Sequence, residues 1–190
     1  MQPTLGSLID KHFSHISMRL NYYRFLYYLV AKAKPAIAVE LGVEFGLASA
    51  HMTAAAFQYG GHVIGIDINN GLVAAEAIQQ AWPGTYTFIH GDSTLAAELV
   101  EPLVEKYGKI GVLFQDSSHH YAPSCQEWDM YRPMMAENGI WVCDDITPSF
   151  YEAGVDAASM VAYFDERPAR HKLKYQDVLH FGNTVGVMLL

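Results

Sequence analysis

Apolar positions along the chain fall into two kinds of segment that alternate. Short runs rich in β-branched and other apolar residues occupy 36–41, 62–67, 86–90, 110–115 and 140–143, and runs of this length and composition predict strands. Longer stretches rich in Ala, Leu, Met, Glu and Gln lie between them at 47–58, 73–82, 94–107 and 123–137, and these predict helices. Strand and helix in regular succession imply βα units around a parallel sheet with helices on both faces. The punctuation agrees: Pro35 stops a first helix, Gly60-Gly61 and Gly108 close later ones, and Asn138-Gly139 stands before a strand.

The two ends depart from this rhythm. After a helix near 155–164, segments 172–178 and 184–190 read as two strands joined through the turn His180-Phe181-Gly182-Asn183. That connection is too short for a parallel crossover, so an antiparallel hairpin is expected at one edge. The fold class is therefore α/β: a doubly wound, mostly parallel, seven-stranded, Rossmann-like sheet with helices on both faces and a C-terminal antiparallel hairpin. At the front, 19–30 is apolar or aromatic almost all round, and a helix without a polar face is expected to be covered on more than one side. It packs on the sheet, or else forms a dimer contact or an acceptor-site wall, places where Tyr is enriched. Residues 1–34 are thus expected to form a helical segment packed on a domain spanning 35–190, with no linker dividing the chain into two cores.

Composition narrows the classes. With 190 residues, 51% hydrophobic and only 17% charged, the chain has ample material for one buried core. Lys and Arg number 12 against 20 Asp and Glu, a formal net charge of −8 with no basic stripe, which argues against a nucleic-acid partner. The apolar stretch 25–31 is far shorter than a membrane span, and no basic segment precedes an apolar one at the N-terminus, so a cytoplasmic protein with no membrane partner is expected. Cys125 and Cys143 have neither C-x-x-C nor zinc-type spacing and are expected to be buried small hydrophobes.

In an open α/β sheet, ligands bind beyond the carboxyl ends of the strands, so the strand ends are where chemistry should sit. The first runs Val39-Glu40-Leu41-Gly42-Val43-Glu44-Phe45-Gly46-Leu47-Ala48-Ser49. Its two glycines permit a tight turn and close approach of a ligand to the backbone. This is not the dinucleotide fingerprint G-x-G-x-x-G, and Glu44 would oppose a pyrophosphate, so a cofactor with a cationic part fits better than NAD. The second ends Ile66-Asp67-Ile68-Asn69, where a carboxylate could accept from two ribose hydroxyls or form a local turn. The third ends His90-Gly91-Asp92-Ser93, where Asp92 could reach an adenine amino group or cap the following helix.

Together these three strand ends resemble the class I S-adenosylmethionine-dependent methyltransferase family, over residues 35–190. The resemblance implies that Glu40, Gly42, Gly46 and Ser49 cradle the methionine part of the cofactor, that Asp67 binds its ribose and that Asp92 with Ser93 approaches its adenine; it adds Asp116 to the same contacts. The fourth and fifth strand ends, Gln115-Asp116-Ser117-Ser118-His119-His120-Tyr121 and Cys143-Asp144-Asp145, bring further acids and a His pair to the same edge. The patterns Asp-x-x-His-x-Tyr and Asn-Gly-x-x-x-x-Asp-Asp resemble the small-molecule O-methyltransferase branch, many of whose members bind a divalent metal through such acids.

Two mechanisms follow. In one, Asp116, Asp144 and Asp145 hold Mg²⁺ or a similar cation, which lowers the pKa of an acceptor hydroxyl and aims its oxygen at the methyl group. In the other, His119 is the general base with Asp116 beside it, and no metal is needed. Ser118 stands where several metal-dependent relatives carry an acid. The acceptor is expected to be a small-molecule hydroxyl, with loop 146–151 and the helix bearing Trp128 and Tyr131 as candidate walls; core packing is the other reading of Trp128. A homodimer supplying a lid is an option. Nitrogen or carbon methylation on the same fold, or a non-catalytic S-adenosylmethionine-binding module, are the competing functions.

Overall fold

The computed structural model describes residue 6 and residues 20–69, 71–146, 157–176 and 184–190. The expected turn at 180–183 and the loop at 147–151 lie outside the described residues. In chain order the elements are α1 (Leu20–Ala33), β1 (Ile37–Leu41), α2 (Leu47–Phe57), β2 (His62–Asp67), α3 (Leu72–Ala81), β3 (Tyr86–His90), α4 (Ala97–Tyr107), β4 (Ile110–Gln115), α5 (Tyr121–Tyr131), a 3₁₀ turn (Arg132–Met134), β5 (Met135–Cys143), α6 (Ala157–Glu166), β6 (His171–Gln176) and β7 (Thr184–Leu189). Seven strands form one sheet in the order β3-β2-β1-β4-β5-β7-β6. The first five run parallel, and β7 is antiparallel to both β5 and β6, as the short C-terminal connection predicts.

Alternation along each strand divides the core between two faces. Ala38 of β1 joins a cluster with α1, α2 and α3, whereas Ile37, Val39 and Leu41 join one with α4, α5 and α6. On β4, Ile110 and Leu113 point to the same face although three residues apart. The ladder slips between Ile110 and Val112 on both sides of that strand, and a slip restores the parity.

Three expectations need correction. The helix foreseen over 123–137 ends at Tyr131, because Pro133 lies in a 3₁₀ turn and the chain is already extended at Met135. Strand β5 therefore begins five residues before Ile140, and Asn138-Gly139 lies inside it at the slip that takes the register from Met135 to Ile140. Helix α1 is covered on more than one side: Tyr23, Leu26 and Val30 are buried, Phe25, Tyr27, Leu29 and Ala31 pack against the same core, and Phe25 stacks on Tyr175 of β6, while Tyr28 is 68% exposed. It packs chiefly on α2. The helix covered all round is α2, where every residue from Leu47 to Ala56 is buried. Finally, Cys143 is buried but Cys125 only partly so. Among the described residues no helix is long and apolar enough to cross a membrane.

Candidate functional site

Strand order reverses between β1 and β4, so the crevice of an open α/β sheet opens beyond their carboxyl ends. The glycine turn after β1 lies there. Gly42 has φ +87°, and a Cβ on it would stand 2.0 Å from the Asp116 carbonyl oxygen. Only glycine satisfies both the left-handed backbone and that approach. The turn is held from β2: the Val43 and Glu44 N–H groups each donate to Asp67 Oδ2 at 2.7 Å, and the Asn69 N–H donates to Oδ1 at 2.6 Å. Asp67 is thus a turn former for two loops, and its carboxylate retains lone-pair capacity for a hydroxyl.

Beneath the turn, the Ser49 hydroxyl donates to Glu40 and lies 2.9 Å from the Tyr86 hydroxyl. Burial, augmented by Asp116 and Asp67 and opposed by the Ser49 hydrogen bond, raises the Glu40 carboxyl well above its ordinary pKa. The Tyr86 hydroxyl lies over Gly65, where a Cβ would be only 2.2 Å from it. A glycine inside a strand marks such close approaches, and this is the signal by which Tyr86 could have been found in the sequence. The pocket at this edge is lined by Glu40, Val43, Glu44, Phe45 and Asp116, with Tyr23 of α1 as a further wall.

After β3, Asp92 Oδ1 accepts from the Thr94 N–H at 2.8 Å and hydroxyl at 2.7 Å, a local turn that delays α4 to Ala97. The Ser93 hydroxyl turns inward and donates to Glu127 of α5. Glu127 is fully buried and also accepts from Gln115 Nε2 at 2.6 Å and the Ser117 hydroxyl at 2.9 Å. Sequence reasoning missed Glu127 and Gln115. Trp128 and Tyr131 are buried in the core, with Trp128 against Trp141, so the packing reading of Trp128 is the one realised.

At the ends of β4 and β5, His119 Nε2 lies 2.9 Å from Asp116 Oδ1 and Nδ1 lies 3.5 Å from Asp145 Oδ2. Burial lowers the His119 pKa, but the Asp116 hydrogen bond and the charges of Asp116, Asp145 and Glu127 outweigh it, and the net shift is upward. Both His119 (φ +52°) and Asp145 (φ +50°) have left-handed backbone. One ligand atom from each of Asp116, His119 and Asp144 lies within 4.8 Å of the others. Two carboxylates and an imidazole fit a divalent cation, and the imidazole moves the preference from Mg²⁺ toward first-row transition ions. The trio differs from the all-aspartate set expected from sequence, with His119 in the place of Asp145.

A sheet of this order, with a glycine turn pinned by the β2 acid at its switch point, defines the Rossmann-like fold of class I methyltransferases. The family described as "Methyltransferase domain" matches residues 39–146, and the chain belongs to it. Solved structures agree in fold. An O-methyltransferase from Bacillus cereus in complex with SAH superposes with TM-score 0.74 at 14% identity, over 98% of this chain and 90% of that one. Cofactor-bound Rv0187 from MTB gives 0.74 at 16%, over 89% and 79%. The O-methyltransferase TomG from Streptomyces achromogenes, involved in tomaymycin synthesis and bound to SAM, gives 0.67 at 14%, over 89% and 79%. No protein of curated function matches the chain.

Proposed function

We propose that this protein transfers the methyl group of S-adenosylmethionine to a hydroxyl of a small molecule. The observation that carries the reading is the pinned turn: Asp67 holds the Val43 and Glu44 amides on one side of the crevice while Asp116 and His119 stand across it. Two of the structural neighbours are O-methyltransferases bound to SAH or SAM, which favours oxygen as the acceptor atom. The cofactor supplies an electrophilic methyl carbon on a sulfonium centre.

The chain's own groups bind and orient. Gly42 and Gly46 bring the backbone close to the methionine part, Asp67 offers its remaining lone pairs to the ribose, and Asp92 faces the adenine side. Glu40 and Ser49 act from below the turn, and Ser93 supports the loop after β3. The acceptor oxygen attacks in line, a geometry that needs chiefly positioning. Its proton leaves to His119 Nδ1, the nitrogen left basic when Nε2 donates to Asp116 Oδ1, and Asp145, 3.5 Å from Nδ1, favours the imidazolium that forms. Because the His119 pKa is raised, the neutral base grows as pH rises. A divalent cation held by Asp116, His119 and Asp144, with Asp145 beside them, would acidify the hydroxyl and leave His119 as a ligand instead.

The same reading makes the protein a cytoplasmic enzyme with a small-molecule partner, residues 35–190 forming the catalytic domain on which α1 packs. Calorimetric titration with S-adenosylhomocysteine, alone and with Mg²⁺ or Mn²⁺, tests it. Saturable binding is expected. Its absence under every condition overturns the cofactor assignment. Where it binds, methylation of a hydroxyl panel that stops on chelation separates the metal route from the His119 route.

A further inference from the structure

Glu127 accepts three side-chain hydrogen bonds in the interior. It is a carboxylate on α5 with no exposure, and its three donors come from two different strand ends. Ser93 follows β3, on the side proposed to take the adenine. Gln115 and Ser117 flank Asp116 at the end of β4, on the side proposed to take the methionine part and the acceptor. The network continues outward in both directions. Gln115 Oε1 accepts from Trp141 Nε1 at 3.0 Å, fixing the orientation of its amide so that Nε2 faces Glu127, and the Ser93 carbonyl accepts from the Tyr131 hydroxyl at 2.8 Å.

A carboxylate is an acceptor on both oxygens, so it can bind donors from both loops at once without either turning away. An amide in its place keeps one accepting oxygen, and its N–H₂ end must face either Ser93, whose hydroxyl then has to turn from donor to acceptor, or the Gln115 N–H₂, which cannot accept. Glu127 and Gln115 are closed to water, so an unmade bond between them costs the desolvation of both groups.

We infer that Glu127 is a positioning residue: it locks the loop after β3 to the loop after β4 and thereby sets the distance between the two halves of the cofactor site. The inference rests on the cofactor reading above. It concerns how the site is held together rather than which groups touch the ligand. Its consequence is specific: a ligand that spans both loops depends on Glu127, whereas a ligand that uses one loop depends on it little.

S-Adenosylhomocysteine and adenosine supply those two cases. Binding of each is measured by calorimetry to the wild-type full chain and to Glu127→Gln and Glu127→Asp, with thermal unfolding recorded alongside. Glu127→Gln should weaken S-adenosylhomocysteine at least 10-fold and adenosine by less than 3-fold, and Glu127→Asp should recover part of the difference. Equal losses for both ligands, or unchanged S-adenosylhomocysteine affinity, overturn the inference and leave the cofactor reading standing. No binding of S-adenosylhomocysteine to the wild type overturns both. If Glu127→Gln does not fold, Ser117→Ala removes one donor with little loss of packing and must show the same ligand dependence in weaker form; unaltered binding by that variant then overturns the inference.

Discussion

The carboxyl ends of β1 and β2 and those of β4 and β5 face one crevice but are built by different means. On the first side the backbone does the work: Asp67 accepts three amide N–H groups, and the positive φ angles fall on Gly42, Gly46 and, between them, Glu44. On the second side the work falls to side chains on strained backbone. His119 and Asp145, neither of them glycine, adopt left-handed angles, which cost on the order of 1–2 kcal/mol each. Such residues persist where the surroundings over-determine them, commonly at functional sites. The binding turn takes two of its three left-handed positions at glycine, where they cost little, whereas both left-handed positions of the second side keep their side chains and accept the strain.

The largest expected effect lies where the two sides touch. Gly42→Ala drives a methyl group into the Asp116 carbonyl, and overpacking together with the left-handed penalty should remove about 3 kcal/mol or more of stability. Urea unfolding checks this, and wild-type stability would show that the turn is not in contact with β4. Next, His119→Ala should lower kcat by about 100-fold, the scale of general-base catalysis, with S-adenosylhomocysteine affinity nearly unchanged. A variant that loses affinity instead would place His119 on the binding side of the comparison. Asp67→Ala should weaken S-adenosylhomocysteine binding by roughly 1.5–3 kcal/mol, the value of charge-assisted hydrogen bonds, while Asp67→Asn, which keeps one acceptor oxygen, should lose less.

The smallest effect separates the sides by pH. Burial lowers the pKa of His51 in α2 and of His62 in β2, below the ordinary 6.5. Their contribution to stability is complete above that value and is lost as pH falls toward their folded values. His119, burial notwithstanding, is raised by Asp116, Asp145 and Glu127, so its contribution is complete below 6.5 and is lost as pH rises through its folded value. Thermal unfolding across this range should show His51→Asn flattening the acid limb and His119→Asn the alkaline limb. The same limb responding to both substitutions would contradict the assignment.

How much of this was legible follows the same division. The alternation of runs gave β2, β3 and β4 at their observed bounds: β2 and β4, buried on both faces, write themselves as near-continuous apolar runs, and the half-buried edge strand β3 is bracketed by Gly84 and Gly91. The start of β5 was hidden: Ala136, Glu137, Asn138 and Gly139 carry the ladder slip, and their polar, turn-like character reads as loop. Gly42, Gly46 and Asp67 announced a turn by type and spacing. The proximity of His119 to Asp116 follows from their i,i+3 spacing on one loop, but its contact with Asp145 depends on two left-handed residues, which no sequence pattern signals. Glu127 was invisible because a glutamate in a helix with Gln126 and Asp129 beside it reads as part of a solvated face. Only packing places it in the interior.

The missing side chain at position 42 has an evolutionary consequence. The peptide of Asp116 rests directly on the turn after β1, with no deformable group between them to absorb a change in either. The two loops therefore form one unit of inheritance. Substrate range can drift through segments remote from this contact, but a β4 loop transplanted from a relative would have to arrive together with the turn that supports it.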